Sequence, residues 1–188
     1  MGAVYKNYKT ADYKNTIPGY SVKAWLLPVD WLQTEADVVG NAAAGNRKTI
    51  DETHIVMAGK GAIAVFAAPK TIDAPGELSG PQLGKSLLWK PKIYIPGDGP
   101  VLLDMIEGLV NKGVLLFIED AANCKNGVSQ YVQFGCGCDP ATVEAGAFNS
   151  GVVGGDQLKG YELGFESFCK FFYNGVLTEL DPEVEIIE

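Results

Sequence analysis

Hydrophobic and polar positions alternate with a period of two through most of this chain, the signature of strands with one face turned inward. The segment "YSVKAWLLP" places Tyr20, Val22, Ala24 and Leu26 on one face and stops at Pro28, so it reads as a strand. "VDWLQTEADVV" predicts a short helix with Trp31 and Leu32 inward, followed by the glycine- and alanine-rich patch "GNAAAGNRK". "TIDETHIVMA" and "GAIAVFAAP" are two strand-like runs flanking Gly59-Lys60, which predicts a β-hairpin. From Lys70 to Gln82 turn residues dominate, and a long loop or extended arm is expected there. "KSLLWKPKIYIPG" returns as an extended segment whose Pro91 requires an edge or a bulge.

One segment breaks the period of two. In "GDGPVLLDMIEGLVNKG", Leu102, Met105, Ile106 and Leu109 recur at i, i+3, i+4 and i+7, which predicts an amphipathic helix over about residues 100–112. Pro100 suits its first position, Asp98 or Gly99 its N-cap, and Gly113 a left-handed C-cap. Asp104 and Glu107 toward its start and Lys112 toward its end agree with the helix dipole. After it "GVLLFIEDA" reads as a buried strand, and "VSQYVQFG" and "ATVEAGAF" as two more. "LKGYELGFESF" sets Tyr161, Leu163 and Phe165 against Glu162 and Glu166, and "FFYNGVLTEL" suggests a short hairpin about Asn174-Gly175.

Strands and helices do not alternate, which argues against a doubly wound sheet. The expected class is mainly β (α+β): an antiparallel β-sandwich or barrel with one flanking α-helix and long loops or arms. At 188 residues the chain fits a single domain. Residues 1–19 read as an N-terminal arm, 20–178 as the β-rich domain, and 179–188 as an acidic C-terminal tail with five carboxylates in ten residues.

Charge changes this picture in one respect. Residues 1–94 carry eleven Lys/Arg against eight Asp/Glu, whereas residues 95–188 carry four against fifteen, so the net charge of −8 comes from the second half. The split serves solubility, association of basic with acidic faces, or repulsion of a polyanion. No basic stripe with interleaved aromatics appears, which argues against sequence-specific nucleic-acid binding. The N-terminus lacks the apolar core of a signal peptide, and Lys6 stands where a myristoylation signal wants Ser or Thr. "AIAVFAAP" and "VLLFI" fall far short of the ~20 residues that span a bilayer. No membrane association is expected, and the chain is expected to be made and assembled in a cytoplasm.

Candidate chemistry is sparse. Five glycines between Gly151 and Gly164 raise the question of a phosphate cradle, but such a loop needs a helix after it, and here an alternating strand follows. "GKGAIAVFA" fails for the same reason. His54 is the only histidine and lies in the strand-like run Ile50–Ala58, where a structural role is expected. The acidic pairs Asp51-Glu52 and Glu119-Asp120 occupy neighbouring strand positions and point to opposite faces. Cys124, Cys136, Cys138 and Cys169 lack the doubled short spacing of a zinc site, and reduced, buried thiols are the default. Cys136-Gly-Cys138 also lacks the redox Cys-x-x-Cys spacing at a helix start. No catalytic, cofactor-binding or metal-binding residue is assigned, and no cofactor is expected.

The order of segments in the second half resembles that of bacteriophage tail tube proteins. "APGELSGPQLGKS" feeds "KPKIYIPG"; "PVLLDMIEGLVNKG" precedes "VLLFIED"; "SQYVQFG" leads to "DPATVEAGAFNSG", and "KGYELGFESF" and "FFYNG" follow. The Gln-x-x-Gln-Phe-Gly, Ser-Gly and Lys-Gly-Tyr-x-Leu-x-Phe signatures carry the likeness, which covers about residues 60–178. The cysteine pair and the acidic tail lie outside it. What the resemblance implies is a structural virion subunit that forms hexameric rings stacked into a hollow tube. DNA would pass through the lumen without specific binding. The implied partners are further copies of the chain and other tail proteins, namely a tape measure, a tail terminator, and a baseplate or sheath, in a tail assembled in the host cytoplasm. The rivals are another injection-tube or baseplate-like subunit, a monomeric β-sandwich ligand-binding or adhesive module, and, last, a hydrolase using Asp or Glu.

Overall fold

The computed structural model describes residues 20–38, 48–120, 131–151 and 159–180. The arm at 1–19, residue Cys124, the centre of the glycine-rich connection and tail residues 181–188 lie outside the described residues.

Among the described residues the protein is mainly β with one α-helix. In chain order the strands are β1 (Tyr20–Pro28), β2 (Leu32–Thr34), β3 (Thr49–Ile50), β4 (Ile55–Val56), β5 (Ile63–Phe66), β6 (Gly76–Ser79), β7 (Ser86–Trp89) and β8 (Lys92–Pro96). Helix α1 (Pro100–Val110) follows, then β9 (Val114–Asp120), β10 (Tyr131–Phe134), β11 (Thr142–Asn149), β12 (Gly160–Glu166) and β13 (Lys170–Tyr173). A six-stranded sheet runs β3-β13-β10-β9-β1-β5, antiparallel except where β3 joins β13 in parallel. A second sheet runs β11-β12-β8, and β2-β4 and β6-β7 form separate pairs. None of these sheets closes into a barrel.

The large sheet is buried on both faces. Val114, Leu115, Leu116, Phe117 and Ile118 in β9 are all 0% exposed. Successive side chains of a strand point to opposite faces, so this continuous apolar run supplies two cores at once. Leu116 and Ile118 join Ala24, Leu26 and Phe134 on one side, where Ile93, Leu163 and Phe165 of the second sheet and Ile106 and Leu109 of α1 close the layer. Leu115 and Phe117 join Trp25, Leu27 and Tyr173 on the other side, covered by Trp31, Val56, Leu177 and Leu180. The first core is the sandwich the alternation of β12 predicts; the second is covered by segments with little regular structure.

The helix begins at Pro100 with Gly99 as N-cap, and neither Asp98 nor any other side chain caps it. It ends at Val110, short of residue 112, and Lys112 N–H closes on the Leu109 carbonyl at 3.0 Å. No acidic residue falls in its first turn. Gly113 is not in the left-handed region that a C-cap glycine occupies. Its role is close approach, since a Cβ there would meet Pro140 Cγ at 2.5 Å.

Other expectations give way to pairing across the sequence. The short helix expected in "VDWLQTEADVV" is a single 3-10 turn, Val29–Trp31, with Trp31 buried; Leu32–Thr34 pairs with β4 instead of extending it as an α-helix. The turn at Gly59 exists, with φ +74 and Lys60 N–H bonded to Met57 O, but its arms part. β4 goes to β2 and β5 to β1, which excludes the hairpin. Beyond Asn174-Gly175 the chain also leaves its own strand, and Glu179 bridges Ala62 in parallel. Gly175 sits where a Cβ would meet Glu52 O at 2.5 Å, so it is a close-approach glycine rather than the turn of a hairpin. The stretch Lys70–Gln82 is no simple loop: β6 lies within it and pairs with β7, Leu78 opposite Leu87. Asp51, Glu52 and His54 stand between β3 and β4, outside any strand.

Truncating the shared layer should be expensive. Leu116→Ala is expected to lower unfolding free energy by about 2–5 kcal/mol, the range for buried leucines. Leu83→Ala, at a fully exposed position, should stay within about 0.5 kcal/mol. Urea denaturation followed by circular dichroism measures both.

Candidate functional site

His54, Gln133 and Ser167 are the buried polar side chains among the described residues. His54 lies stacked on Tyr173, ring centroids 4.8 Å apart and planes 14° apart, beside Phe117. Its Nδ1 accepts the Ala36 N–H at 3.0 Å. That donor fixes the tautomer, so Nε2 carries the proton and donates to Gln133 Oε1 at 2.9 Å. Gln133 Nε2 passes the chain on to Gly135 O at 3.0 Å. The Tyr173 hydroxyl accepts the His54 N–H at 3.1 Å and donates to Val176 O at 3.2 Å. Burial pushes the His54 pKa below its usual 6.5, against smaller opposing effects of the Gln133 hydrogen bond and the Glu35 charge. Both ring nitrogens are engaged inside the protein, which is the arrangement of a histidine that ties strands together.

The remaining candidates do not converge. Asp51 is held by Asn174 Nδ2 at 2.7 Å, and Glu119 and Asp120 lie at the end of β9. Cys138 is exposed and Cys136 and Cys169 half-buried, so the buried setting expected for the thiols is not found at these three. Cys136 and Cys169, unlinked by any spacing rule, come within 3.0 Å through the β10–β13 pairing. Among the described residues no group of three His, Cys, Asp or Glu is placed to hold a metal ion, and no helix is long and apolar enough to cross a membrane. Gly160 opens strand β12 rather than a helix, as the sequence implied, and a Cβ there would meet Ile95 O at 2.4 Å.

The features with functional form are surfaces. The β6–β7 hairpin is largely exposed, with Leu78 and Leu87 paired at 68% and 46% exposure and Leu83 near its tip at 102%. Its turn needs glycine, since Gly80 has φ +111 and a Cβ would meet Gly84 O at 2.7 Å. At its base Trp89 bridges to Ser167, and Lys170 Nζ sits 4.1 Å from the Trp89 ring. Burial lowers the Lys170 pKa, opposed by the field of Asp120. The cation–π contact, opposed by the cost of desolvating the ammonium, ties the base of the hairpin to the start of β13.

At the other end of that sheet, β5 and α1 border an apolar groove of about 960 Å³. Ile63, Phe66, Val101, Leu102, Met105 and Leu180 line it, with Asp98, Asp104 and Lys112 at its margin. Phe66 is 62% and Val101 82% exposed. No local pattern in the sequence announces the groove, because its walls come from β5, α1 and Leu180, distant in the chain.

Searches of protein-family models, curated proteins and solved structures found no match for this chain.

The His54 arrangement carries a pH signature. The folded-state pKa is lowered, so the folded protein holds a neutral imidazole that the unfolded chain protonates first. The stabilisation is complete above about pH 6.5 and is lost as pH falls from there through the lowered value. Unfolding free energy should therefore decline from pH 7 to pH 5. His54→Asn should be less stable at pH 7 by about 1–3 kcal/mol, through the orphaned Ala36 and Gln133 groups, and should lack that decline. Urea titrations of both proteins across the interval provide the comparison.

Proposed function

We propose that this chain is a self-assembling structural subunit of a hollow tube, of the kind built in bacteriophage tails. The observation that carries the reading is the pair of unlike apolar surfaces at opposite ends of the six-stranded sheet. One end bears a hairpin with Leu78, Leu83 and Leu87 exposed; the other bears the groove of Ile63, Phe66, Val101 and Leu102. Contiguous exposed apolar side chains of this kind are candidate contact surfaces. Two different patches that fit each other make a heterologous contact, which generates a ring when the rotation closes. β5 ends the sheet order, and a neighbour's backbone would approach its edge beyond Ala62, which the chain's own Thr178–Leu180 segment already pairs.

The order of sequence segments supports the tail-tube version of this reading, with stacked, hexameric rings, a DNA-conducting lumen and other tail proteins as partners. Acidic residues crowd the second half of the chain, and facing a lumen they would repel phosphate within the ~8–10 Å reach of screened charge. The same groove gives the rival reading its footing: a monomeric binding module would hold an apolar ligand there.

Negative-stain microscopy and sedimentation of the concentrated protein separate the two. Rings or tubes are expected, and Leu78→Glu with Leu83→Glu should leave a folded monomer with an unchanged circular dichroism spectrum. A wild-type protein that stays monomeric at all concentrations, and gains thermal stability with an apolar ligand, would support the binding module instead.

A further inference from the structure

Three thiols gather at one corner of the large sheet; Cys136 and Cys169 pack against the margin of the second core, and the proposed assembly uses none of the three. Cys136 leaves β10 and Cys169 enters β13, 33 positions apart, with their Sγ atoms 3.0 Å from each other. The backbone forces this meeting. β10 and β13 pair up to Phe134 opposite Lys170, and Gly135 N–H extends the ladder to Cys169 O at 3.1 Å. Gly135 then turns the chain at φ +92, where a Cβ would meet Ala141 N at 2.6 Å and Val114 O at 2.8 Å. Residues Cys136 to Asp139 reverse direction through reciprocal backbone bonds of 3.0 and 3.2 Å. The Asp139 carboxylate accepts Phe168 N–H at 2.9 Å, and Ser167 Oγ accepts Cys169 N–H at 3.0 Å. The two sulfurs are thus held by structure on both sides, while Cys138 at the turn is exposed.

We propose that Cys136 and Cys169 form a reversible disulfide, made by exchange with a low-molecular-weight disulfide, that staples the turn after β10 to the start of β13. Forming the bond shortens the sulfur separation by about 1 Å, to the usual ~2.05 Å. The Cys136 thiolate attacks one sulfur of the small disulfide RS–SR, whose S–S bond breaks and releases RS⁻. Cys169 then loses its proton and attacks the Cys136 sulfur of the mixed disulfide, expelling the second RS⁻. Two protein thiols are oxidised, one small disulfide is reduced to two RSH, and both cysteine protons end on the leaving thiolates. Burial, with the Cys136 contact and the Asp139 charge, pushes the Cys169 thiol up to about 12. Cys169 therefore makes the second, slower attack, and closure accelerates with rising pH. The bond needs no neighbouring subunit, so it stands or falls apart from the tube reading.

The test incubates the full chain carrying Cys138→Ser with oxidised glutathione at pH 8, followed by non-reducing peptide mass mapping and thermal denaturation. The expected result is loss of two hydrogens, a cross-linked peptide joining Cys136 to Cys169, and a Tm about 10 °C higher, all reversed by dithiothreitol. Cys169→Ser should give only a glutathione adduct at Cys136 and no rise in Tm. The wild-type chain, mapped in parallel, should show the same Cys136–Cys169 link and serves alone if Cys138→Ser does not fold. Glutathione adducts without that link, a Cys136–Cys138 or Cys124 bridge in its place, or a link that leaves Tm unchanged would overturn the proposal.

Discussion

Five consecutive side chains of β9, Val114 to Ile118, have no exposure, and covering both sides of that strand organises the rest of the fold. A strand with one wet face needs a single covering layer, whereas β9 needs two. The second sheet and α1 supply one. The other is assembled from Trp31, Val56, Leu177 and Leu180, short pieces anchored by Trp25 Nε1 to Glu179 at 2.9 Å and by the His54–Gln133–Tyr173 bonds. Polar groups enter that second core only as a connected set, because an unpaired one would forfeit its hydration without return.

This constraint explains what could and could not be read from the sequence. β9 was legible because apolar residues run without a break, β12 because Tyr161, Leu163 and Phe165 alternate with glutamates, and α1 because its stripe has a helical period. The local turn signals at Gly59 and Asn174-Gly175 misled. Both mark real changes of direction, but partner choice was decided by which strands complete the layers over β9, a non-local question. "VDWLQTEADVV" misled in the opposite sense. Trp31 and Leu32 are inward-facing as a helix would have them, yet one 3-10 turn and a three-residue strand achieve the same burial. The candidate surfaces were half legible: turn residues at Lys70–Gln82 flagged the hairpin region, while nothing local announced the groove or the meeting of Cys136 with Cys169.

A sheet covered on both faces has only its edges left to offer. β5 ends the large sheet beside the groove, and the hairpin lies beside the β13 end. The exposed apolar side chains here differ in setting, leucines of a two-stranded hairpin at one side and the walls of a groove at the other. In the proposed assembly the hairpin of one copy meets the groove of the next, and an open head-to-tail contact of that kind generates rings or filaments. Lys170 over Trp89 ties the base of the hairpin to the start of β13.

Complementation between two crippled surfaces tests the head-to-tail claim most directly. One variant would carry Leu78→Glu and Leu83→Glu on the hairpin, the other Phe66→Glu and Val101→Glu at the groove. In sedimentation velocity each should run as a monomer alone. Mixed, they should form a one-to-one dimer and stop there, because the pair retains a single intact hairpin and a single intact groove. A groove variant that still assembles by itself, or a mixture that remains monomeric, would contradict it.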